Sequence, residues 1–255
     1  MDVVLVIVLG LVIGSFLNVC IARVPHGESI VSPPSHCPLC QTQIAWYDNL
    51  PILSYVFLRG RCRGCSARIS LRYPLVEILT AIALFFVYRL DLPPREFVVA
   101  AAFTFALIVI TFIDIDHKII PDVITLPSIL IAPAAAYFVG HISMVDSIGG
   151  ILAGGGGLWA IAAAYEYLRK QEGMGFGDVK FLAMVGGFQG WEGAVFTLIV
   201  GSLIGTIIGV GAMIARRGRL DMEIPFGPFL AAASYLYLLG GPELIGWYLS
   251  LPASF

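Results

Sequence analysis

The chain has 255 residues, 58% of them hydrophobic and only 13% charged, with a formal net charge of -2. A soluble domain is about 45–50% apolar and about 25% charged, so an ordinary soluble globular protein is excluded. The composition predicts an all-α polytopic membrane protein, and no basic face interleaved with aromatics points to nucleic acid.

A membrane-spanning helix needs about 20 mostly apolar residues. Eight segments fit that requirement or approach it: 2–22, 74–90, 96–115, 123–140, 147–168, 178–191, 194–215 and 226–250. The sixth, "DVKFLAMVGGFQGW", is short and glycine-rich and reads as tilted or partly spanning. No internal repeat or low-complexity tract is visible. The first segment has no positive charge before its apolar run, and Arg23 follows it, so it does not read as a cleavable signal. The positive-inside rule then puts residue 23 in the cytoplasm and the N-terminus outside. Every Lys and Arg except Arg89 and Arg95 falls at a cytoplasmic end in that topology. The basic run "ARRGRL" (215–220) reads as an anchor at the anionic inner surface. The expected organisation is a first transmembrane helix (1–22), one large cytoplasmic loop (23–73) and a transmembrane core (74–255).

Within the loop, "CPLC" places Cys37 and Cys40 and "CRGC" places Cys62 and Cys65. Paired C-x2-C knuckles predict one tetrahedral zinc held by four thiolates. Arg61, Arg63 and Arg68 would favour thiolate over thiol. Two disulfides are the rival reading, disfavoured in a reducing cytoplasm. Four thiolates leave no open coordination position, so the predicted role is a structural staple. Cys20, inside the first helix, reads as a packing residue.

Ionisable residues in spanning helices are costly and point to function. In "TFIDIDHKIIPD" the third helix runs to about Asp116, which places Asp114 in its last turn. Asp114 and Asp116 lie about 200° apart around the helix, so one faces the bundle and the other faces outward; periodicity leaves open which. In "GMGFGDVK" (173–180) Asp178 opens the sixth segment. The third helix leaves the bundle where the sixth comes in, so the two carboxylates are expected at similar depth. Two close carboxylates share a proton, and such a pair can activate water and polarise a peptide carbonyl. Gly175 and Gly177 are expected to let an extended backbone approach Asp178. Lys180 is expected to moderate the pair or hold an acidic substrate group. The alternative for the stretch is a helix N-cap beside ordinary glycines. Gly201, Gly205 and Gly209, and the run "GGILAGGGG" (149–157), read as packing seams.

At these residues the chain resembles the type IV prepilin peptidases, and the resemblance covers nearly its whole length. It is carried by "GSFLNVCIARVP" (14–25), the paired C-x2-C motifs, "ISLRYPLVE" (69–77), "FIDIDHKIIPDVITLP", "GMGFGDVK" and "PFGPFLA" (225–231). The family's first aspartate lies seven residues before a proline, which selects Asp114 over Asp116; its G-x-G-D-x-K block selects Asp178. The resemblance implies a GxGD-type intramembrane aspartyl protease of the bacterial inner membrane. It would cut type IV prepilins or pseudopilins at the cytoplasmic face. It would then methylate the new N-terminus from S-adenosylmethionine. The family places the methyl transfer with the zinc loop, where Gly60, Arg61 and Glu77 are candidates. Lys180 could contact the glutamate that the family's substrates carry near the start of the mature chain. Two other classes compete. In a proton-coupled transporter the two acids would carry protons, but broken midplane helices and repeat symmetry would be expected. A zinc-loop membrane scaffold leaves both acids unexplained.

Overall fold

The structure, a computed structural model, describes residues 2–170, 175–215 and 224–250. Gly173 and Met174 of the glycine-rich stretch, and Arg216, Arg217 and Arg219 of the basic run, lie outside the described residues. Among those described there is no β-strand; the chain is helical, as the composition requires. In hydrocarbon every backbone N–H and C=O must be satisfied within the segment, and an α-helix does this locally.

The long helices are α1 (Val3–Arg23), α3 (Arg72–Tyr88), α4 (Pro94–His117), α5 (Asp122–Val139), α8 (Phe176–Ala215) and α9 (Gly227–Ser250). A five-residue helix, α2 (Leu53–Phe57), lies in the large loop. Helices α6 (Met144–Ile151) and α7 (Gly157–Arg169) are joined by a π-helical turn over Leu152–Gly156. Among the described residues six stretches are long and apolar enough to cross a membrane. Helix α3, with 17 residues, is slightly shorter.

Helix α8 has 40 residues, so its rise of about 60 Å is twice the hydrocarbon thickness. It is broken at Gly190 (φ 74, ψ −179), a conformation for which glycine is suited. Its halves correspond to the sixth and seventh predicted segments, and with α3 they complete the predicted eight. The predicted segments leave a connection at Glu192–Gly193. The backbone instead departs from helical geometry at Gly190 and resumes at once.

The chain divides into two compact units, Met1–Val109 and Ile110–Phe255, the division falling inside α4. In the first unit α1 packs on α3 through small residues. A Cβ on Gly14 would lie 2.7 Å from Glu77 Cα. Asn18 Nδ2 donates to the Tyr73 carbonyl at 3.1 Å, a polar tie of the kind that joins helices in lipid. Arg23 is 9% exposed. It donates to the carbonyls of Ser29 (2.8 Å) and Pro33 (2.7 Å), pinning the start of the large loop.

In the second unit α6 and the π-turn lie against the first half of α8. A Cβ on Gly150 or on Gly186 would overlap the other's backbone, and one on Gly155 would lie 2.7 Å from Ala183 Cβ. Ser147 Oγ donates to the Gly187 carbonyl at 2.7 Å. The second half of α8 meets α9 with Gly201 against Leu230 and Gly205 against Phe229. Near the break, Gln189 Nε2 donates to the Ser234 carbonyl at 2.8 Å. Gly150, Gly154, Gly155, Gly201 and Gly205 therefore form packing seams, whereas an added Cβ on Gly149, Gly156 or Gly157 of the same run would meet nothing within 4 Å.

Adding a methyl group separates seam from surface. Gly186→Ala should destabilise by about 1–3 kcal/mol through overpacking. Gly149→Ala, with nothing within 4 Å of the added Cβ, should be neutral or gain up to about 1 kcal/mol in helix propensity. Thermal unfolding of the two variants in detergent measures the difference.

Candidate functional site

The last turn of α4 carries Asp114 inward and Asp116 outward. Asp114 is 5% exposed and Asp116 is exposed, the opposed placement that a two-residue helical step dictates. A carboxylate buried at that depth needs a donor. Its Oδ2 accepts the Gly227 amide N–H at 2.9 Å. Gly227 opens α9, so one of that helix's unpaired N-terminal donors points at the acid. A Cβ on Gly227 would lie 2.7 Å from Asp114 Oδ2, so only glycine permits this approach. Within "PFGPFLA" the motif alone gives Gly227 no role; its signal is a glycine between two prolines, Pro225 and Pro228.

Asp178 sits in the first turn of α8. Its amide N–H donates to the Gly175 carbonyl at 3.1 Å, and its side chain is half-buried. Asp114 and Asp178 lie close enough for the charge of one to act on the other. Both acids the sequence singled out thus lie in the second unit, one at the end of α4 and the other at the start of α8. The glycines before Asp178 have different surroundings. A Cβ on Gly175 would meet only Asp178 Oδ2, at 3.8 Å, whereas one on Gly177 would press on Ile120 Cβ at 3.1 Å. Gly177 therefore lets the chain before α5 approach the start of α8.

Lys180 has a partner that the sequence reading did not assign to it. Its Nζ forms an ion pair with Asp122, in the first turn of α5, and lies 5.4 Å from the centre of the Phe176 ring. With the Gly177–Ile120 contact, this pair fastens the start of α5 to the start of α8.

In the large loop, all four cysteine sulfurs lie within 4.8 Å of one another. Cys37 and Cys65 Sγ are 3.9 Å apart, as are Cys40 and Cys62 Sγ. Tetrahedral coordination with metal–sulfur bonds of about 2.3 Å needs sulfurs about 3.8 Å apart, so the four cysteines are positioned to bind a metal ion. Each knuckle is built alike. The Cys37 amide donates to Thr42 O and the Gln41 amide to Cys37 O; the Cys62 amide donates to Ala67 O and the Ser66 amide to Cys62 O. Gln41 and Ser66 both have φ 58. His36 pairs with Gln43 in one knuckle and Arg61 with Arg68 in the other. The loop therefore contains a short structural repeat, where the sequence reading saw none, because four bonded positions and two cysteines are too little identity to show.

Hydrogen bonds from the Thr42 hydroxyl and amide bring the Cys40 thiol down to about 6. The amides of Cys65 and Gly64 lower Cys62. The Ala67 amide favours the Cys65 thiolate, but its sulfur neighbours and burial outweigh it and push Cys65 up to about 11.

Glu77 is 7% exposed. It faces the α1–α3 seam and accepts the Ile52 amide N–H at 2.8 Å. Ile52 has φ 58, an unfavourable value for a β-branched residue, so Glu77 holds a strained turn of the loop. Gly60 has φ 64, and a Cβ there would lie 2.7 Å from Tyr55 Oη.

Two family models match the chain. The Bacterial Peptidase A24 N-terminal domain matches residues 8–90 and the Type IV leader peptidase family matches residues 101–210. Proteins named prepilin leader peptidase/N-methyltransferase are similar over most of the length. The one from Aeromonas hydrophila is 38% identical over 270 residues, covering 96% of this chain and 93% of its own. Those from Pseudomonas aeruginosa and Dichelobacter nodosus are 34% and 35% identical, covering 95% and 92% of this chain and 92% and 90% of their own. No solved structure matches the chain.

The thiols make a pH-dependent prediction. Because the Cys40 pKa is lowered, its thiolate is present at neutral pH; the stability this lends is complete only above the ordinary thiol value of 9.0 and is lost as pH falls from there through about 6. After chelator treatment, iodoacetamide labelling read by mass spectrometry should modify Cys40 first and Cys65 last at pH 7. Labelling of Cys40 should slow about tenfold per unit below that midpoint. Equal rates at all four thiols would refute the assignment.

Proposed function

The chain belongs to the type IV leader peptidase family, whose activity is removal of the leader from type IV prepilins and methylation of the new N-terminus; from that premise we propose that Asp114 and Asp178 are the catalytic pair of the cleavage step. The observation that carries this reading is the convergence of a buried acid at the end of α4 with a second at the start of α8.

In this mechanism the pair holds one proton between two carboxyls. The ionised carboxyl takes a proton from water as the oxygen attacks the scissile carbonyl carbon. The protonated carboxyl donates to the carbonyl oxygen, giving a neutral tetrahedral diol. Collapse returns a proton to the leaving nitrogen and regenerates the pair. The Gly227 N–H commits Asp114 Oδ2 as an acceptor, which leaves Oδ1 for proton exchange. Gly175, with no side chain before Asp178, leaves room for the substrate backbone. Lys180 acts through Asp122: their ion pair, with Gly177 on Ile120, sets where Asp178 stands.

The four cysteines would hold zinc, which closes the loop and has no open position for chemistry. Methyl transfer is assigned to the loop over 23–73, and cleavage to the transmembrane part over 74–255. S-adenosylmethionine would supply the methyl group, with Gly60 and Arg61 as candidates for its site and Glu77 as the residue that positions the loop. The substrates are prepilins or pseudopilins, the membrane is the bacterial inner membrane, the N-terminus is outside, and the catalytic pair works at the cytoplasmic face.

Co-expression with a prepilin, read by the size shift on gels, tests the pair. Asp114→Ala and Asp178→Ala should each abolish cleavage, and Asp116→Ala should retain most of it. Full processing by either of the first two would overturn the proposal. The Lys180–Asp122 pair is partly exposed, so Asp122→Asn should lower kcat by no more than about tenfold. The exchanged pair Asp122→Lys/Lys180→Asp should recover part of that loss. If Lys180 bound the substrate instead, Lys180→Gln would raise KM and the exchange would rescue nothing.

A further inference from the structure

One cleft is lined entirely by residues of the large loop. Its volume is about 510 Å³, and its lining includes Tyr55, Arg59, Gly60, Arg61, Arg68 and Leu71. The arginines of the loop ahead of Arg72, which opens α3, divide into two groups. Arg23 is spent on the carbonyls of Ser29 and Pro33. Arg63 forms a bidentate pair with Asp48, Nε to Oδ2 at 2.7 Å and Nη2 to Oδ1 at 2.6 Å. The side chains of Arg59, Arg61 and Arg68 make no hydrogen bond or ion pair among the described residues, and all three line this cleft.

The two knuckles show why that is unusual. At the same place in each, an isolated bridge sets two residues directly opposite one another. In the first knuckle they are His36 and Gln43; in the second they are Arg61 and Arg68. Like charges directly opposed on paired strands repel. The acids nearest in the chain do not relieve this pair: Asp48 is held by Arg63 and Glu77 by the Ile52 amide. Gly60, between Arg59 and Arg61, has φ 64 and no room for a side chain without moving Tyr55 from the cleft wall. The Ile69 amide closes the turn on the Gly60 carbonyl at 2.7 Å. The hydrogen-bonded knuckle therefore holds repelling guanidinium groups around a space rather than letting them part.

We propose that this cleft is a binding site for an oxyanion, a carboxylate or a phosphate, gripped by Arg59, Arg61 and Arg68. Guanidinium groups match both anions with paired N–H donors, and a bound anion turns the Arg61–Arg68 repulsion into shared attraction. Two sources carry that chemistry. One is the carboxylate of the methyl donor's amino-acid end, which rests on placing methyl transfer in this loop. The other is the phosphate of an anionic phospholipid, since Leu71 at the cleft directly precedes α3.

The test uses the full metal-loaded chain and the double variant Arg59→Gln/Arg68→Gln, with metal content and prepilin cleavage as fold controls. Calorimetry with S-adenosylhomocysteine and with its decarboxylated analogue reads the first source. Native mass spectrometry from phosphatidylglycerol and phosphatidylcholine nanodiscs reads the second. If the donor is the source, the variant should bind S-adenosylhomocysteine at least about tenfold more weakly and the decarboxylated analogue unchanged. If lipid is the source, wild type should retain phosphatidylglycerol and the variant should lose it. A variant that matches wild type with both ligands overturns the site. If wild type binds no S-adenosylhomocysteine, the methyl-transfer reading of the loop fails, and the lipid arm alone decides the oxyanion site. If the double variant loses metal, Arg59→Gln, outside the knuckle, carries the same comparison.

Discussion

The carboxylate of Asp114 rests on the first amide of α9. A buried acid at the end of a membrane helix requires a donor, and an N-terminal helix amide is a donor without an internal partner. Each satisfies the other, and three requirements follow from that contact. Helix α9 must begin at the depth where α4 ends, the position facing the acid must be glycine, and the chain must turn sharply just before it. The sequence "PFGPF" meets the last two, because Pro225 and Pro228 restrict the backbone on either side of Gly227. The same contact leaves the other oxygen of Asp114 unengaged by Gly227. Around this meeting the packing is done by absent side chains. Gly150 on Gly186 and Gly205 on Phe229 bring helices close enough for dispersion and a few interhelical hydrogen bonds to hold them.

The large loop solves a different problem. It has too few residues to bury a core of its own, so covalent geometry and electrostatics replace apolar packing. Two copies of one turn present four sulfurs at a common centre. Arg23 fastens one end of the loop to its own carbonyls, and Glu77 reaches from α3 to hold Ile52 in a conformation that a β-branched residue otherwise avoids. The second copy of the turn differs from the first in carrying like charge across its bridge. That is a cost the fold maintains, and it lies beside the cleft.

Much of this was legible in the order of residues. Hydrophobic run length identifies the spans because lipid allows few alternatives, and the C-x2-C spacing identifies the four-cysteine cluster because tetrahedral geometry does. Asp114 was separated from Asp116 only by resemblance, since a helical step shows that they diverge but not which one turns inward. Three things were not legible. Gly227 and Asp114 are far apart in the chain, and neither motif names its partner. The Lys180–Asp122 pair was hidden for the same reason, although both residues lie within the quoted motifs. The knuckle repeat is carried by backbone hydrogen bonds, to which side-chain identity is nearly indifferent.

The interruption of α8 at Gly190 has a geometrical consequence for Asp178. From residue 178 to the break is about 17 Å of helix, and this sets the radius of any swing about that point. At that radius a tilt of about 10° displaces the carboxyl by about 3 Å, roughly the length of a hydrogen bond. The far half of the same rod, seated on Phe229 and Leu230, need not follow. A single glycine without helical torsions thus uncouples the spacing of the two acids from the anchorage of the segment that bears one of them.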